Sequence, residues 1–151
     1  MMQNRILVSS LILATAILGS CGNFKRSFEP PISAENDLIK LSIERIQHKK
    51  DRLHTWIIIE NKTDKTLDLR YDSFFVDANG SKSPGALKAF AYRSDRGFPM
   101  PPHYVKKAHL EFLNVAFLPQ VEMTLTNIRV QGEEGTSELV MPVPVDDGSR
   151  R

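Results

Sequence analysis

Residues 53–71 have the sequence LHTWIIIENKTDKTLDLRY, and this stretch decides the fold. Trp56 and Ile58 on one face alternate with Ile57 and Ile59 on the other, so the segment is apolar on both faces at its centre. A run of this length and composition is typical of a strand that is covered on both sides. We therefore predict a central strand of a β-sheet here.

A turn and a second extended segment follow this central strand. Residues 61–65 (NKTDK) are turn formers, and the alternation of apolar and polar residues resumes over residues 67–71. A short extended run at 74–76 then ends in 77–80 (DANG), where asparagine and glycine tolerate the positive φ of a tight hairpin turn. The centre of the chain is thus predicted to be strands joined by short turns.

The same period of two appears on both sides of this centre. Residues 39–46 alternate before a charged break at 48–51, and residues 108–112 and 121–130 alternate later in the chain. Alternation over such lengths is typical of half-buried strands. Each of these segments is predicted to be a strand.

The last predicted strand, residues 139–145, has two prolines on one face. Leu139, Met141 and Val143 lie on the other face, while Pro142 and Pro144 alternate with them. Because proline lacks the amide donor that a neighbouring strand needs, this strand is expected at a sheet edge, where the prolines also block pairing with other chains.

The fold class predicted from these segments is all-β: an antiparallel β-sandwich of about six to eight strands, with no long apolar stripe of helical period. One long loop, residues 80–107, interrupts the pattern, and its best helical segment is 84–92. Residues 36–145, roughly 110 in number, suffice for one domain with one core. Residues 146–151 are expected to form a disordered tail.

The first twenty residues have the layout of a secretory signal peptide. A charged start at 1–5 precedes the apolar run ILVSSLILATAIL at 6–18, which is shorter than the roughly 20 residues of a spanning helix. We therefore expect residues 1–20 to be removed, with the cut between Ser20 and Cys21. A retained membrane helix is the alternative that the short run disfavours.

The residues around the cut, Leu18-Gly19-Ser20-Cys21, resemble the lipobox of bacterial lipoproteins, and Cys21 is the only cysteine in the chain. The resemblance implies that the Cys21 thiol is joined to a diacylglycerol and that the new amino terminus is acylated. Two or three acyl chains hold a protein on a membrane essentially permanently. With Gly22 next, the resemblance to enterobacterial lipoproteins implies the outer membrane, facing the periplasm or the cell surface.

Residues 21–35 are predicted to be a lipidated N-terminus and flexible tether. They contain Pro30-Pro31, scattered charges and no sustained period. At about 3.3 Å per extended residue, such a tether could lift the domain some tens of Å from the membrane. Lys25 and Arg26 could touch anionic lipid headgroups.

Residues 56–67 (WIIIENKTDKTL), followed by 75–80 (FVDANG), are similar to the immunoglobulin-like domains of uncharacterised bacterial lipoproteins. The resemblance implies an immunoglobulin-like sandwich and covers about a third of the chain after the predicted signal. The chain departs from antibody domains because it has no paired cysteines to pack against Trp56.

Several function classes are disfavoured. The net charge is +2, and with an exported location this argues against a nucleic-acid partner. No serine lies in a Gly-x-Ser-x-Gly elbow, His48 falls at a turn, and His54 and His109 are expected to face solvent. We therefore predict no catalytic residues, no cofactor and no metal ligands.

One alternative from another class stays open. Met100, His103 and His109 lie loosely together in sequence, and copper carriers with sandwich folds use methionine and histidine ligands. The alternative is therefore a small periplasmic metal carrier, or an envelope enzyme, that uses His103 or His109. The separations follow no known ligand spacing.

The long loop is the predicted binding segment, because aromatic and basic residues dominate binding hot spots and long loops are often functional. Its predicted contact residues are Lys88, Phe90, Tyr92, Arg93, Arg96, Phe98 and Tyr104. In the alternative structural interpretation, Phe90 and Phe98 pin the loop to the core while its charges keep it soluble.

The sequence thus predicts a lipid-anchored protein of the bacterial cell envelope that is a non-enzymatic binding or scaffolding module. Its expected partners are the membrane, through the N-terminal lipid anchor, and an envelope protein or an anionic glycan. An anionic glycan would bind through forked arginine contacts and stacking on aromatic rings.

Overall fold

The structure, a computed structural model, describes residues 23–87 and 97–146. The predicted signal peptide, Cys21 and the end of the predicted tail, residues 147–151, lie outside the described residues. Within them the chain forms antiparallel strands and one short 3-10 turn, Tyr71–Ser73. The strands are β1 (Phe24–Glu35), β2 (Ile39–Lys49), β3 (Arg52–Asn61), β4 (Leu67–Arg70), β5 (Phe74–Ala78), β6 (Ser81–Leu87), β7 (Gly97–Met100), β8 (Val105–Phe112), β9 (Gln120–Val130) and β10 (Ser137–Pro144).

The strand order confirms the predicted immunoglobulin-like sandwich. Strands β2, β3, β8 and β6 are neighbours in that order, and β5, β9 and β10 form a second group. In chain order these are the A-B-E-D and C-F-G strands of a constant-type immunoglobulin sandwich. Strand β6 pairs with both β5 and β8, so hydrogen bonds connect the two groups into one continuous sheet.

Both groups of strands contribute to one apolar core. Ile39, Leu41 and Ile43 alternate along β2 with half-buried polar residues and are fully buried, as are Ile57 and Ile59 of the central strand β3. Burying one such side chain stabilises the fold by roughly 1.5–3 kcal/mol. The period of two that predicts the strands therefore also predicts the core.

Residues 24–35 are a strand and not the predicted tether. Strand β1 pairs antiparallel with β2, and its register shifts between Ser27 and Ile32, where Pro30 and Pro31 interrupt the ladder. Phe24 and Phe28 are buried. The prolines are tolerated because β1 is at the edge of the sheet and the irregularity absorbs them.

The long segment 80–107 also contains strands that the sequence does not predict. Residues 81–87 form β6 and 97–100 form β7, so the first part of the predicted helix at 84–92 is extended. Residues 88–96 lie outside the described residues. With β1, β6 and β7 added, residues 23–87 and 97–146 form ten strands where about six to eight are expected.

Two local predictions are confirmed. The β5–β6 hairpin turns at Asn79 and Gly80, which have φ of 57° and 86°, and the Gly80 amide donates to Asp77 Oδ1 at 2.7 Å. These positive φ values at both central positions are those that asparagine and glycine accommodate. Strand β10 pairs only with β9 among the described residues, so the strand with Pro142 and Pro144 is an edge strand.

Candidate functional site

An open cleft of about 680 Å³ lies between β4, β7 and the end of β9. Strand β4 pairs with β7 on one side and with β9 on the other, so three strands and the 3-10 turn meet at this surface. The cleft is lined by Asp68, Leu69, Arg70, Asp72, Ser73, Phe75, Gly97, Phe98, Pro99, Asn127, Arg129 and Gln131.

The alternation of β4 places polar side chains in the cleft. Leu67 and Leu69 point into the core, so Asp68 and Arg70 point outwards. The Arg70 guanidinium donates to both oxygens of Asp72, with Nε–Oδ1 2.8 Å and Nη2–Oδ2 2.5 Å. These hydrogen bonds hold the pKa of the Asp72 carboxyl below its usual value.

Asp68 and Arg129 are register partners on β4 and β9, yet within the described structure their side chains form no ion pair. Both side chains are exposed. Arg129 is thus a guanidinium without an ion-pair partner among the described residues, and it lies beside the amide side chains of Asn127 and Gln131. The guanidinium donates hydrogen bonds, and the two amides both donate and accept them, in fixed planes.

Aromatic rings form the other wall of the cleft. Phe98 of β7 stacks on the buried Tyr71, with ring centroids 4.4 Å apart and planes 25° apart, and Lys106 Nζ lies 5.3 Å from the Phe98 centroid. Phe98 and Phe75 are half-buried. Burial raises the pKa of the Tyr71 hydroxyl, and the nearby Lys106 opposes that shift.

Of the two predicted loop residues that the structure describes, one lies in this cleft. Phe98 lines it, whereas Tyr104 is exposed beyond β7, where its amide donates to the Pro101 carbonyl. The remaining predicted contact residues, Lys88, Phe90, Tyr92, Arg93 and Arg96, lie outside the described residues. They belong to residues 88–96, which connect β6 to the strand that carries Phe98.

The polar residues of the cleft are not predicted from the sequence. Asp68, Arg70 and Arg129 occupy outward positions on predicted strands, and on sequence alone such positions are ordinary solvated faces. Only the pairing of β4 with both β7 and β9 brings them together. No local signal in the sequence distinguishes them.

The histidines differ from their predicted environments. His48 is buried within β2 instead of lying at a turn, and His54 is buried instead of facing solvent. His109 is half-buried, and its ring stacks on Trp56 with centroids 4.1 Å apart. The cause is cross-strand pairing: Trp56 and His109 are register partners, and the indole covers the imidazole.

His54, Trp56 and His109 belong to a second surface, on the outer face of β2, β3 and β8. The Arg45 guanidinium carbon lies 3.9 Å from the Trp56 ring centroid, and a hydrogen bond of 3.3 Å joins His109 Nε2 to His54 Nδ1. Arg45, Trp56 and Phe28 also line a shallower cleft of about 440 Å³. Arg45, Trp56 and His109 contact one another in a row, as a cation on an aromatic ring and two stacked rings.

The structure separates the three side chains of the metal alternative. Met100 is fully buried in the core, and His103 is exposed and pairs with Asp64, with Nε2–Oδ1 2.6 Å. His109 is stacked on Trp56. Among residues 23–87 and 97–146, no group of three or more His, Cys, Asp or Glu side chains is placed to hold a metal ion.

The fold is similar to two solved structures. The lipoprotein candidate YcdA of Bacillus subtilis matches with a TM-score of 0.59 and 13% identity, over 78% of this chain and 39% of that one. A protein of unknown function from Listeria monocytogenes EGD-e matches with a TM-score of 0.55 and 12% identity, over 82% of this chain and 84% of that one. The chain therefore spans only about two fifths of the YcdA structure.

No protein-family model and no curated protein matches the chain. At these identities the two structural likenesses show the fold alone: an all-β sandwich that also occurs in a lipoprotein candidate. Within the described part of the chain, no helix is long and apolar enough to cross a membrane.

Proposed function

We propose that the protein is a lipid-anchored, non-enzymatic binding module of the bacterial cell envelope, held by Cys21, and that the cleft between β4, β7 and β9 binds an anionic glycan. The single observation that carries the proposal is the cleft itself. It combines Arg129, which has no ion-pair partner among the described residues, with half-buried aromatic rings.

The chemistry of the cleft favours a sugar acid over an apolar ligand. Sugar rings present an apolar face that packs on aromatic rings such as Phe75 and Phe98, and their hydroxyls need planar donors and acceptors such as Asn127 and Gln131. A carboxylate or phosphate on the glycan would accept a forked pair of hydrogen bonds from Arg129. The lipobox resemblance of Leu18-Gly19-Ser20-Cys21 supports an envelope location, where such glycans occur.

The binding test uses the full lipidated chain in detergent micelles, titrated calorimetrically with an alginate tetrasaccharide and with neutral cellotetraose. We expect binding of alginate only, and Arg129→Gln should weaken it by about tenfold, since a hydrogen bond to a charged group contributes about 1.5–3 kcal/mol. Lys82→Gln is the matched control, because it removes one exposed positive charge outside the cleft.

Absence of alginate binding, or equal binding of both sugars, would contradict the glycan proposal. If crosslinking in intact cells then captures an envelope protein and Arg129→Gln abolishes that capture, the cleft binds a protein partner instead. The anchor is tested separately by Cys21→Ala, which should eliminate incorporation of radiolabelled lipid and retention in the membrane fraction.

A further inference from the structure

The described domain begins almost at the predicted anchor. Strand β1 starts at Phe24, so only Gly22 and Asn23 separate it from Cys21 in the sequence. Because consecutive Cα atoms are about 3.8 Å apart, the Cα atoms of Cys21 and Phe24 can be at most about 11 Å apart. A lipid on Cys21 therefore brings one end of the domain to the bilayer surface.

That end, here called the anchor end, consists of Phe24, the β2–β3 turn at 49–52 and the β8–β9 loop at 113–119. Phe24 pairs with His48 at the end of β2, and Leu53 pairs with Phe112 at the end of β8. The three segments therefore meet at one end of the sandwich.

The β8–β9 loop is fixed to this end by specific contacts. His48 Nε2 donates to the Val115 carbonyl at 2.7 Å, and the Val115 amide donates to the Asp51 carbonyl at 2.8 Å. The Phe117 ring packs edge-on against Phe24 and His48, with centroids 5.7 and 5.1 Å apart. The loop is thereby held in one position relative to the start of β1.

The loop presents apolar side chains that the domain does not cover. Leu113 is 50% exposed and Phe117 is 38% exposed. Next to them Lys25, Lys49 and Lys50 are exposed and have no ion-pair partner among the described residues, whereas Arg52 pairs with Glu111. Asp51 is the acidic residue of the β2–β3 turn, whereas Asp77, Glu122 and Asp146 lie on the β5, β9 and β10 side of this end. The unpaired lysines are therefore concentrated on the β1, β2 and β3 side.

We propose that the anchor end is a membrane-docking surface, on which Leu113 and Phe117 enter the interfacial layer of the bilayer and the three lysines contact anionic headgroups. Apolar side chains next to lysines are the composition that binds such an interface. The proposal rests on the proposed anchor at Cys21. It replaces a domain raised on a tether with a domain that lies against the membrane in one orientation.

The test places a tryptophan at each end of β8 in the full lipidated chain. Leu113→Trp lies at the anchor end, and Val105→Trp is the matched control, because Val105 is 52% exposed at the opposite end of the same strand. Both variants are incorporated into phosphatidylcholine and phosphatidylglycerol vesicles with brominated acyl chains. The emission of the native Trp56 adds equally to the signals of the two variants.

We expect quenching of the Leu113→Trp emission to exceed that of Val105→Trp by about twofold or more, as burial of the indole in the acyl boundary requires. Omitting phosphatidylglycerol should reduce the difference, since each lysine near an anionic surface favours the docked state by roughly fivefold. Circular dichroism checks that both variants are folded.

Equal quenching of the two variants would overturn the docking proposal while leaving the anchor intact, provided that the wild-type chain floats with vesicles and Cys21→Ala does not. If the wild-type chain does not float, both the anchor and the docking surface are wrong. A difference that persists unchanged in purely zwitterionic vesicles would overturn the role of the lysines.

Discussion

Asn61 ends β3 and is completely buried. Its Nδ2 donates to the carbonyl oxygens of Lys65, Met100 and Pro101 at 2.7, 2.9 and 3.0 Å. Its Oδ1 accepts from the Thr63 amide and hydroxyl, both at 2.9 Å. One side chain thus joins the turn after β3 to the end of β7, the strand that carries the aromatic wall of the cleft.

Asn61→Ala should lower the free energy of unfolding by about 3 kcal/mol, because it removes five hydrogen bonds, of which the one to the Met100 carbonyl is fully buried. Urea denaturation followed by Trp56 fluorescence measures the loss. Asn23→Ala, at an exposed position outside the strands, is the control and should be neutral. A loss for Asn61→Ala no larger than that of the control would contradict the role assigned to this side chain.

Tyr71 predicts a dependence of stability on alkaline pH. Burial raises the pKa of its hydroxyl above the usual 10.0, so near that pH the folded chain keeps a proton that the unfolded chain releases. The stabilising contribution is therefore complete below pH 10.0 and is lost as the pH rises through the folded-state pKa.

The check on Tyr71 compares the free energy of unfolding below and above pH 10.0 in the wild type and Tyr71→Phe. The wild type should lose stability more steeply over this range, since phenylalanine has no proton to release. Tyr104→Phe, which changes an exposed ring, should keep most of the wild-type dependence, because burial is the largest cause of the raised Tyr71 pKa and the charge of Tyr104 contributes less to it. If the free energy of unfolding depended on pH identically in all three chains, the role assigned to the Tyr71 hydroxyl would be wrong.

At the scale of the element, β1 shows why part of the fold is not predicted from the sequence. Its inward positions include Phe24, Arg26 and Phe28, and a charge among apolar residues hides the period of two. The structure accommodates Arg26 because its guanidinium lies 5.1 Å from the Phe28 ring centroid and donates to the Pro144 carbonyl at 3.3 Å. Pro144 is distant from Arg26 in the sequence, so no local pattern predicts this hydrogen bond.

The sequence also fails to predict strands β6 and β7, because each contains a residue that usually indicates a loop. Gly85 lies in β6 with the Phe112 ring so close that a Cβ there would stand 3.0 Å from a ring atom, and Pro99 lies in the four-residue β7. Glycine and proline inside a segment indicate loops. Here Gly85 allows the Phe112 ring to approach β6 closely, and Pro99 lies on a short edge strand. The strands that alternate over five or more residues, such as β2 and β9, are predicted correctly.

If β1 is an integral strand, shortening its core side chain must destabilise the whole domain. Phe28→Ala should lower the free energy of unfolding by about 3 kcal/mol, because Phe28 is 7% exposed and its loss leaves a cavity. Ser27→Ala, the exposed neighbour on the same strand, should have little effect. A flexible tether would give two neutral variants in the same thermal or urea unfolding experiment.

At the scale of the whole molecule, the cleft and the anchor end lie at opposite ends of β9. The chain enters β9 from Pro119, whose carbonyl accepts from the amides of Val145 and Asp146 at the anchor end. It leaves β9 near Arg129 and Gln131, in the cleft. The nine residue steps from Gln120 to Arg129, at about 3.3 Å each, separate the two by about 30 Å.

This separation connects the two proposals. A domain docked by its anchor end would hold the cleft roughly the length of β9 above the bilayer, where a glycan of the envelope can reach it without crossing the lipid headgroups. A tethered domain would have no preferred orientation, and its cleft would face the membrane part of the time. Orientation is therefore the property in which docking and tethering differ most.

Single cysteines can measure that orientation, because the only native cysteine is Cys21 and in the proposed anchor its thiol is joined to a diacylglycerol. Gln131→Cys and Ala116→Cys are exposed positions at the cleft and at the anchor end. On vesicles, a bulky polyethylene-glycol maleimide should label the thiol at 131 rapidly and the thiol at 116 severalfold more slowly. In a Cys21→Ala background, which stays in solution, both should label at the same rate. Equal labelling of the two anchored variants would mean that the domain rotates freely above the membrane.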